Sequence, residues 1–195
     1  MKILVIGNGN VGSGLNDRFA GAGHDVTAVN SSVPVPEVVK AAVEADIVVI
    51  AVHFAAFAGL DAGIKDALNG KIVIDATNPL AADFMSLTVG HTTSGGEEIA
   101  AALPGAKVVK AFNTVFANHL ATGTVDGRAL FLPVAGDDEE AKKAAISLAT
   151  ELGFDAVDAG PLSNSRYLEP VIELLIQLAF GQGQGTGIGL TLARS

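Results

Sequence analysis

The chain of 195 residues contains no cysteine, which excludes disulfides, thiolate metal ligands and a cysteine nucleophile. Basic residues are scarce. Lys and Arg total 12 against 21 Asp and Glu, a net charge of −9, with a sequence pI near 4.7. That balance argues against nucleic acid, which proteins hold mainly by neutralising phosphates with cations, and against anionic membrane surfaces. Histidines number four. His91 and His119 lack metal-ligand spacing and His24 ends a helical pattern, so no metal site is expected. Long apolar runs are missing too. The longest, Ile47 to Leu60, contains His53 and is bounded by Asp46 and Asp61, whereas a membrane span needs ~20 residues. Lys2 precedes four apolar residues before a glycine loop, too few for the ~7–15-residue core of a signal peptide. The expectation is a cytoplasmic protein with neither membrane nor nucleic-acid partners.

Apolar character is plentiful: 49% of residues are hydrophobic and mean hydropathy is +0.45. A parallel sheet covered on both faces accounts for this, and the excess also points to a homodimer. The length suits a single domain over 1–195, with 161–195 as a C-terminal helical extension packed on it.

The first thirty residues are the most specific part of the chain. Lys2-Ile3-Leu4-Val5-Ile6 reads as a strand and leads directly into Gly7-Asn8-Gly9-Asn10-Val11-Gly12, after which a helical pattern begins. G-x-G-x-x-G in this strand-to-helix context is the dinucleotide fingerprint. Gly7 permits the tight turn, Gly9 admits a pyrophosphate close to the backbone, and Gly12 lets the helix pack on the strand. The helix N-terminus then presents free N–H groups and a positive dipole end to the phosphates.

The rest of the chain alternates strand and helix patterns. Strands are expected at 2–6, 25–29, 46–52, 71–75, 107–112, 129–135 and 154–158. Helices are expected at 10–22, from Pro34 and Pro36 to Ala45, at 54–68, 97–103, 137–152 and 163–180. This order predicts an α/β fold of the Rossmann, doubly wound type: a mainly parallel sheet with helices on both faces and a small C-terminal helical extension. Residues 81–96 form a long Thr-, Ser- and Gly-rich connection, suited to an active-site loop or a dimer contact. The Gly181–Gly187 segment precedes Ile188, Leu190 and Leu192, which could pack. The helix around Val171–Leu178 carries apolar residues on more than one side, which reads as core or dimer contact rather than substrate site.

Strand two ends in Asn30-Ser31-Ser32. An NAD-specific domain usually has a carboxylate there for the ribose 2′-hydroxyl. None is present, while an amide and two hydroxyls can donate to a 2′-phosphate. NADP is therefore expected, with NAD as the alternative.

Four further segments occur in a recognisable order: Lys71–Leu80 (KIVIDATNPL), Leu103–Thr114 (LPGAKVVKAFNT), Ala135–Asp138 (AGDD) and Ala159–Arg166 (AGPLSNSR). With the fingerprint, they resemble the NADP oxidoreductases that use the deazaflavin coenzyme F420 and their bacterial relatives; the same segment order occurs in the oxidoreductase domains of eukaryotic metalloreductases. The resemblance covers nearly the whole chain. It implies cofactor contacts at Asn8, Gly9, Asn10 and Val11, at Asn30 and Ser31 beside a 2′-phosphate, and at Val52, Asn78 and Ala111 where strands end. Ser32, the second hydroxyl after strand two, and Pro79, Phe112 and Asn113 complete the set. The chain departs from the family at Ser31, where Arg is common, and at His53, where Pro is common; His53 could lie near the cofactor or face solvent.

The resemblance also implies direct hydride transfer between NADP(H) and a deazaflavin or flavin-like co-substrate, a small-molecule electron acceptor. Such chemistry requires no activated nucleophile, and no catalytic residue is assigned. Phe112, Asn113 and Thr114 are candidates for the nicotinamide side and Gly160 to Pro170 for the second-substrate side. Residues 163–169 can equally be a helix start capped by Ser163, with Arg166 and Glu169 paired at the surface. Two other functions fit the fingerprint: a reductase of a small imine or hydroxy acid, and a non-enzymatic NAD(P)H-sensing module. The short segment after Gly160 disfavours the first; the missing acidic residue after strand two and missing effector domain disfavour the second.

Overall fold

The computed structural model describes residues 1–194. Its elements are β1 (Lys2–Ile6), α1 (Asn10–Gly21), β2 (Asp25–Val29), α2 (Val35–Glu44), β3 (Ile47–Ile50), α3 (Phe54–Phe57), α4 (Ala62–Ala67), β4 (Ile72–Asp75), α5 (Gly95–Ala102) and β5 (Lys107–Lys110). A two-residue hairpin follows, β6 (Thr124–Val125) and β7 (Arg128–Ala129), then β8 (Phe131–Gly136), α6 (Glu139–Glu151), β9 (Asp155–Asp158) and α7 (Ser165–Ile176), which continues as a π-helical turn, Gln177–Gly181. Seven strands form one sheet in the order β2-β1-β3-β4-β5-β8-β9. The first five are mutually parallel; β8 runs antiparallel to β5, and β9 parallel to β8.

Side chains alternate across a strand, and here both alternations are apolar. Ile3 and Val5 of β1, with Ile47 and Val49 of β3, face a core completed by Leu15 and Phe19 of α1 and Leu148 of α6. Leu4, Ile6, Val48 and Ile50 face the opposite core, closed by Val38 and Ala42 of α2, Ile64 of α4 and Ile99 of α5. Each such large side chain contributes about 1.5–3 kcal/mol when fully buried. Helices on both faces are thus what the continuous Ile/Val/Leu runs require.

Turn chemistry sets the boundaries. α1 ends where Gly23 adopts φ +89° and donates its N–H to the Ala20 carbonyl, the left-handed helix stop that glycine tolerates. The helix expected over 54–68 is two short helices. Asp61 interrupts it, its carboxylate accepting the Gly63 N–H at 2.8 Å to start α4. α5 begins two residues earlier than expected because Ser94 caps it: the Ser94 hydroxyl accepts the Glu97 N–H and donates to the Glu97 carboxylate at 2.7 Å.

The 161–195 segment is helical only as far as Gly181. Beyond it the chain returns to the sheet: Phe131 donates to the Leu190 carbonyl at 2.8 Å, and Arg194 pairs with Asp155 at 2.7 Å. A Cβ at Gly189 would stand 2.3 Å from the Leu130 Cδ2 methyl, so a larger residue here would have to displace the Leu130 side chain. Ile188 packs on a third small cluster, Ile172, Leu175 and Ile176 of α7. Among the described residues no helix is long and apolar enough to cross a membrane.

Candidate functional site

The sheet order places the sequence-derived residues in a row. Their segments follow the carboxyl ends of adjacent strands: 30–32 after β2, 7–12 after β1, 52–53 after β3, 78–79 after β4 and 111–113 after β5. Open parallel sheets bind ligands along this edge. Asn8, Gly9, Asn10, Asn30, Ser31, Ser32 and His53 are exposed; Val11, Val52 and Asn78 are half-buried; Gly7, Gly12, Pro79, Ala111, Phe112 and Asn113 are buried.

The three loop glycines do different things. A Cβ on Gly7 would lie 2.3 Å from the Ala51 carbonyl oxygen, and one on Gly12 would lie 2.0 Å from that of Gly7. These two therefore hold β1, α1 and the end of β3 together. A Cβ on Gly9 meets no atom within 4 Å, so Gly9 faces open space. It is also the N-cap of α1, with no side-chain cap and no acidic residue in the first turn. The leading N–H groups of α1 are therefore left for a ligand, in a positive end of the helix dipole that no carboxylate offsets. After β2, Asn30 Oδ1 accepts both the Ser32 N–H at 2.9 Å and the Ser32 hydroxyl at 2.6 Å. This turn leaves the Asn30 amide N–H groups and the Ser31 hydroxyl as outward donors.

At the other end of the row the edge opens into a cavity of about 550 Å³, within the range of small-molecule sites. Asn10, Val11, Asn78, Phe112 and Asn113, expected at the cofactor, line it, as does part of the 81–96 connection that suited an active-site loop or a dimer contact; the rest of its wall was not foreseen. Asp83, Phe84 and Met85 come from the long connection, Val115 and Phe116 from the segment after β5, and Ile172, Ile176 and Phe180 from α7 and its π turn. Gly160 to Pro170, the candidate for the second-substrate side, contributes none of the residues that line this cavity. The Val171–Leu178 helix, read as core or dimer contact, forms a small buried cluster through Ile172, Leu175 and Ile176 and also supplies one of the cavity's walls. Its three lining residues recur every four positions, a helical stripe that was available in the sequence.

Phe112 contributes main chain rather than ring. Its side chain is buried edge-on between Phe19 and Phe154, each 6.0 Å away, while its backbone adopts φ +65°. Such a conformation in a bulky residue is held only by its surroundings. It turns the chain so that Asn113 meets Asn78: the Asn78 amide donates to the Asn113 carbonyl and the Asn113 amide to Asn78 Oδ1, both at 3.1 Å. Thr114 is buried beside them.

Beneath this pair lies a charged cluster that sequence reasoning missed. Lys110 is fully buried and donates to Asp75 Oδ2 at 2.8 Å, the Thr77 carbonyl at 2.7 Å and Glu169 Oε1 at 2.9 Å. All three ammonium protons are thereby used. Burial opposes the charged ammonium, but Asp75 and Glu169 outweigh it and raise the Lys110 pKa above the ordinary lysine value. Glu169 also accepts the Gly95 and Gly96 N–H groups at 2.9 and 3.0 Å, so the second negative charge sits on the N-terminus of α5. The close approach depends on glycine: a Cβ at Gly96 would lie 2.8 Å from Ser165 Oγ. Arg166 and Glu169 are not partners. Arg166 makes a bidentate pair with Glu97, at 2.8 and 2.6 Å, and Ser163 caps nothing, since α7 starts without a side-chain cap.

Sheet order, glycine loop and helices on both faces together define a Rossmann-type α/β protein. The family described as NADP oxidoreductase, coenzyme F420-dependent, matches residues 33–79. The F420-dependent NADP reductase of Methanothermobacter marburgensis is 33% identical, over 91% of this chain and 92% of its own. A crystal structure from Arthrobacter sp. FB24, provisionally assigned as an F420-dependent NADP reductase, superposes with a TM-score of 0.88 at 31% identity, covering both chains completely. The metalloreductase STEAP3 of Rattus norvegicus is 29% identical over 87% of this chain, which spans 36% of that relative's length. The chain belongs to the coenzyme F420-dependent NADP oxidoreductase family.

Proposed function

We propose that this chain binds NADP(H) along the carboxyl edge of the sheet and carries out hydride transfer between its nicotinamide and a deazaflavin or flavin-like acceptor held in the cavity. The observation that carries this reading is the continuity of the edge. An acid-free, uncapped helix N-terminus over the open face of Gly9 leads across β3 to an apolar cavity above β4 and β5. The diphosphate would lie on the α1 N–H groups, the 2′-phosphate on Ser31 and the Asn30 amide, and the nicotinamide beside Asn78 and the Phe112–Asn113 main chain. The nicotinamide and acceptor rings supply the redox chemistry. The protein's part is to align them face to face and to keep water out with Phe84, Phe116, Ile172 and Phe180. The relatives named as F420-dependent NADP reductases support the choice of both partners. A homodimer would use the outer face of α7, where Tyr167 and Leu174 are exposed.

The test is calorimetric titration with NADPH and NADH, then addition of oxidised coenzyme F420 or FMN while the absorbance of the reduced nicotinamide is followed. NADPH binding, with oxidation only once an acceptor is present, is the expected result. Binding without oxidation by either acceptor would instead favour an NAD(P)H-sensing role.

A further inference from the structure

The chain holds two Asn-Gly pairs, Asn8–Gly9 and Asn69–Gly70, and the fold treats them differently. In such a pair the asparagine side chain is open to attack by the next backbone nitrogen, because glycine has no Cβ to shield it. At Asn69–Gly70 that nitrogen is occupied: Gly70 donates its N–H to the Gly105 carbonyl at 2.7 Å. The Asn69 carboxamide is lodged against Gly105, where a Cβ would stand 2.0 Å from its Oδ1. At Asn8–Gly9 nothing holds either partner. Both residues are exposed, and neither the Gly9 N–H nor the Asn8 carboxamide has a hydrogen-bond partner among the described residues. No atom lies within 4 Å of where a Gly9 Cβ would be. The positive end of α1, with no acidic residue in its first turn, also favours the anion formed when the Gly9 amide loses its proton.

We propose that Asn8 is a self-modifying position whose deamidation closes the glycine loop to nucleotides; the loop's role rests on the proposed NADP(H) binding, the chemistry does not. The Gly9 nitrogen, having given its proton to hydroxide, attacks Asn8 Cγ. The new C–N bond displaces Nδ2, which takes a proton from water and leaves as ammonia. Water then opens the cyclic imide at either carbonyl. The products are aspartate, or isoaspartate, in which the main chain runs through the side-chain carboxyl carbon and gains a methylene. No electrons are transferred: asparagine and water become aspartate and ammonia. Either product sets a carboxylate at the α1 N-terminus, where it suits the helix but repels a diphosphate. Isoaspartate also lengthens a turn in which Gly7 and Gly12 leave no space. A bound diphosphate covers Gly9 and shields its nitrogen, so the nucleotide-free protein ages and the loaded protein is spared.

The full chain is incubated for several days in mildly alkaline buffer, with and without NADPH, then digested, and deamidated peptides are found by mass spectrometry. Reaction is expected at Asn8 and not at Asn69. NADPH at ten times its Kd or above should slow it about tenfold, as the nucleotide-free fraction shrinks. Calorimetry on the reacted protein should show NADPH affinity lower by about fivefold or more, the factor that repulsion between unit charges at contact distance supplies even in water, at an unchanged melting temperature. Asn8→Asp should show that loss from the start. Asn8→Ala, whatever its affinity when fresh, should not decline on incubation. No reaction at Asn8, equal reaction at Asn69, reaction that NADPH does not slow, or undiminished affinity once Asn8 has reacted overturns the proposal. Hydride transfer is scored separately: a chain that NADPH protects but that reduces neither acceptor would reject the oxidoreductase reading and leave the modification site standing.

Discussion

Glu169 reaches from α7 to place Oε1 2.9 Å from the Lys110 ammonium, and both side chains are sealed from water. Because Asp75 holds the same ammonium from β4, one lysine clasps two carboxylates on elements that are remote in sequence. Lys110→Met should leave those carboxylates buried without a counter-charge and cost about 3–5 kcal/mol of stability, read by urea denaturation. Glu169→Gln keeps one acceptor oxygen, loses the other to an NH2 that faces an N–H donor, and leaves Lys110 paired with Asp75, so it should cost less. Equal losses in the two variants would show that the charge is not what matters.

Gly9 and Gly12 should separate binding from folding. Gly9→Ala meets no protein atom, so its thermal unfolding should match that of the parent while NADPH affinity falls by tenfold or more. Gly12→Ala drives a methyl group into the Gly7 carbonyl and should lower the melting temperature as well. Undiminished NADPH affinity in Gly9→Ala would place the diphosphate elsewhere.

Ser31→Arg adds a guanidinium beside the proposed 2′-phosphate position, where Arg can form paired hydrogen bonds to phosphate. NADPH should bind at least about tenfold tighter, the low end of what one charged hydrogen bond of ~1.5–3 kcal/mol supplies, with little change for NADH. Calorimetry on both cofactors decides it: a parallel gain for the two would mean that residue 31 faces the diphosphate or solvent.

The Glu97–Arg166 pair makes an acid-side prediction. The Arg166 hydrogen bonds hold the Glu97 pKa below its ordinary value of 4.5, against a smaller opposing effect of burial. A carboxylate with a depressed folded-state pKa stabilises the fold fully above its unfolded value, and that contribution fades as pH falls through the folded value. Melting temperature should therefore drop on acidification below about pH 4.5, and the drop should be shallower in Glu97→Gln. An identical acid profile in that variant would assign the effect to other carboxylates.

What could be read from the sequence was what is local. Gly7, Gly9 and Gly12 act within one strand-turn-helix unit, and Ile47–Ile50 is apolar on both alternations because both faces of its strand are covered. Asn78, Phe112 and Asn113 could be placed on one edge since strand ends must align in a parallel sheet. The cavity's far wall was legible only in pieces: the 172–180 stripe and the 81–96 connection could be seen, but that they line one cavity with Phe116 depends on the return of the chain after β9. Lys110 reads as an ordinary residue at the end of Lys-Val-Val-Lys, and Glu169 as a helix-surface partner for Arg166. Their burial depends on Gly95 and Gly96 admitting α7, a contact between segments some seventy residues apart. Asp61, an N-cap residue type inside the 54–68 apolar run, is the local signal that divides it into two helices.

The walls of the cavity and the floor of the nucleotide groove come from different stretches of chain, joined only at Asn10, Val11, Asn78, Phe112 and Asn113. On the proposed function, substitutions in the 83–85 loop or along the 172–180 stripe would therefore retune which oxidant is received without touching the glycine turn. A scaffold divided in this way lends itself to descendants that keep one electron donor and exchange its customers.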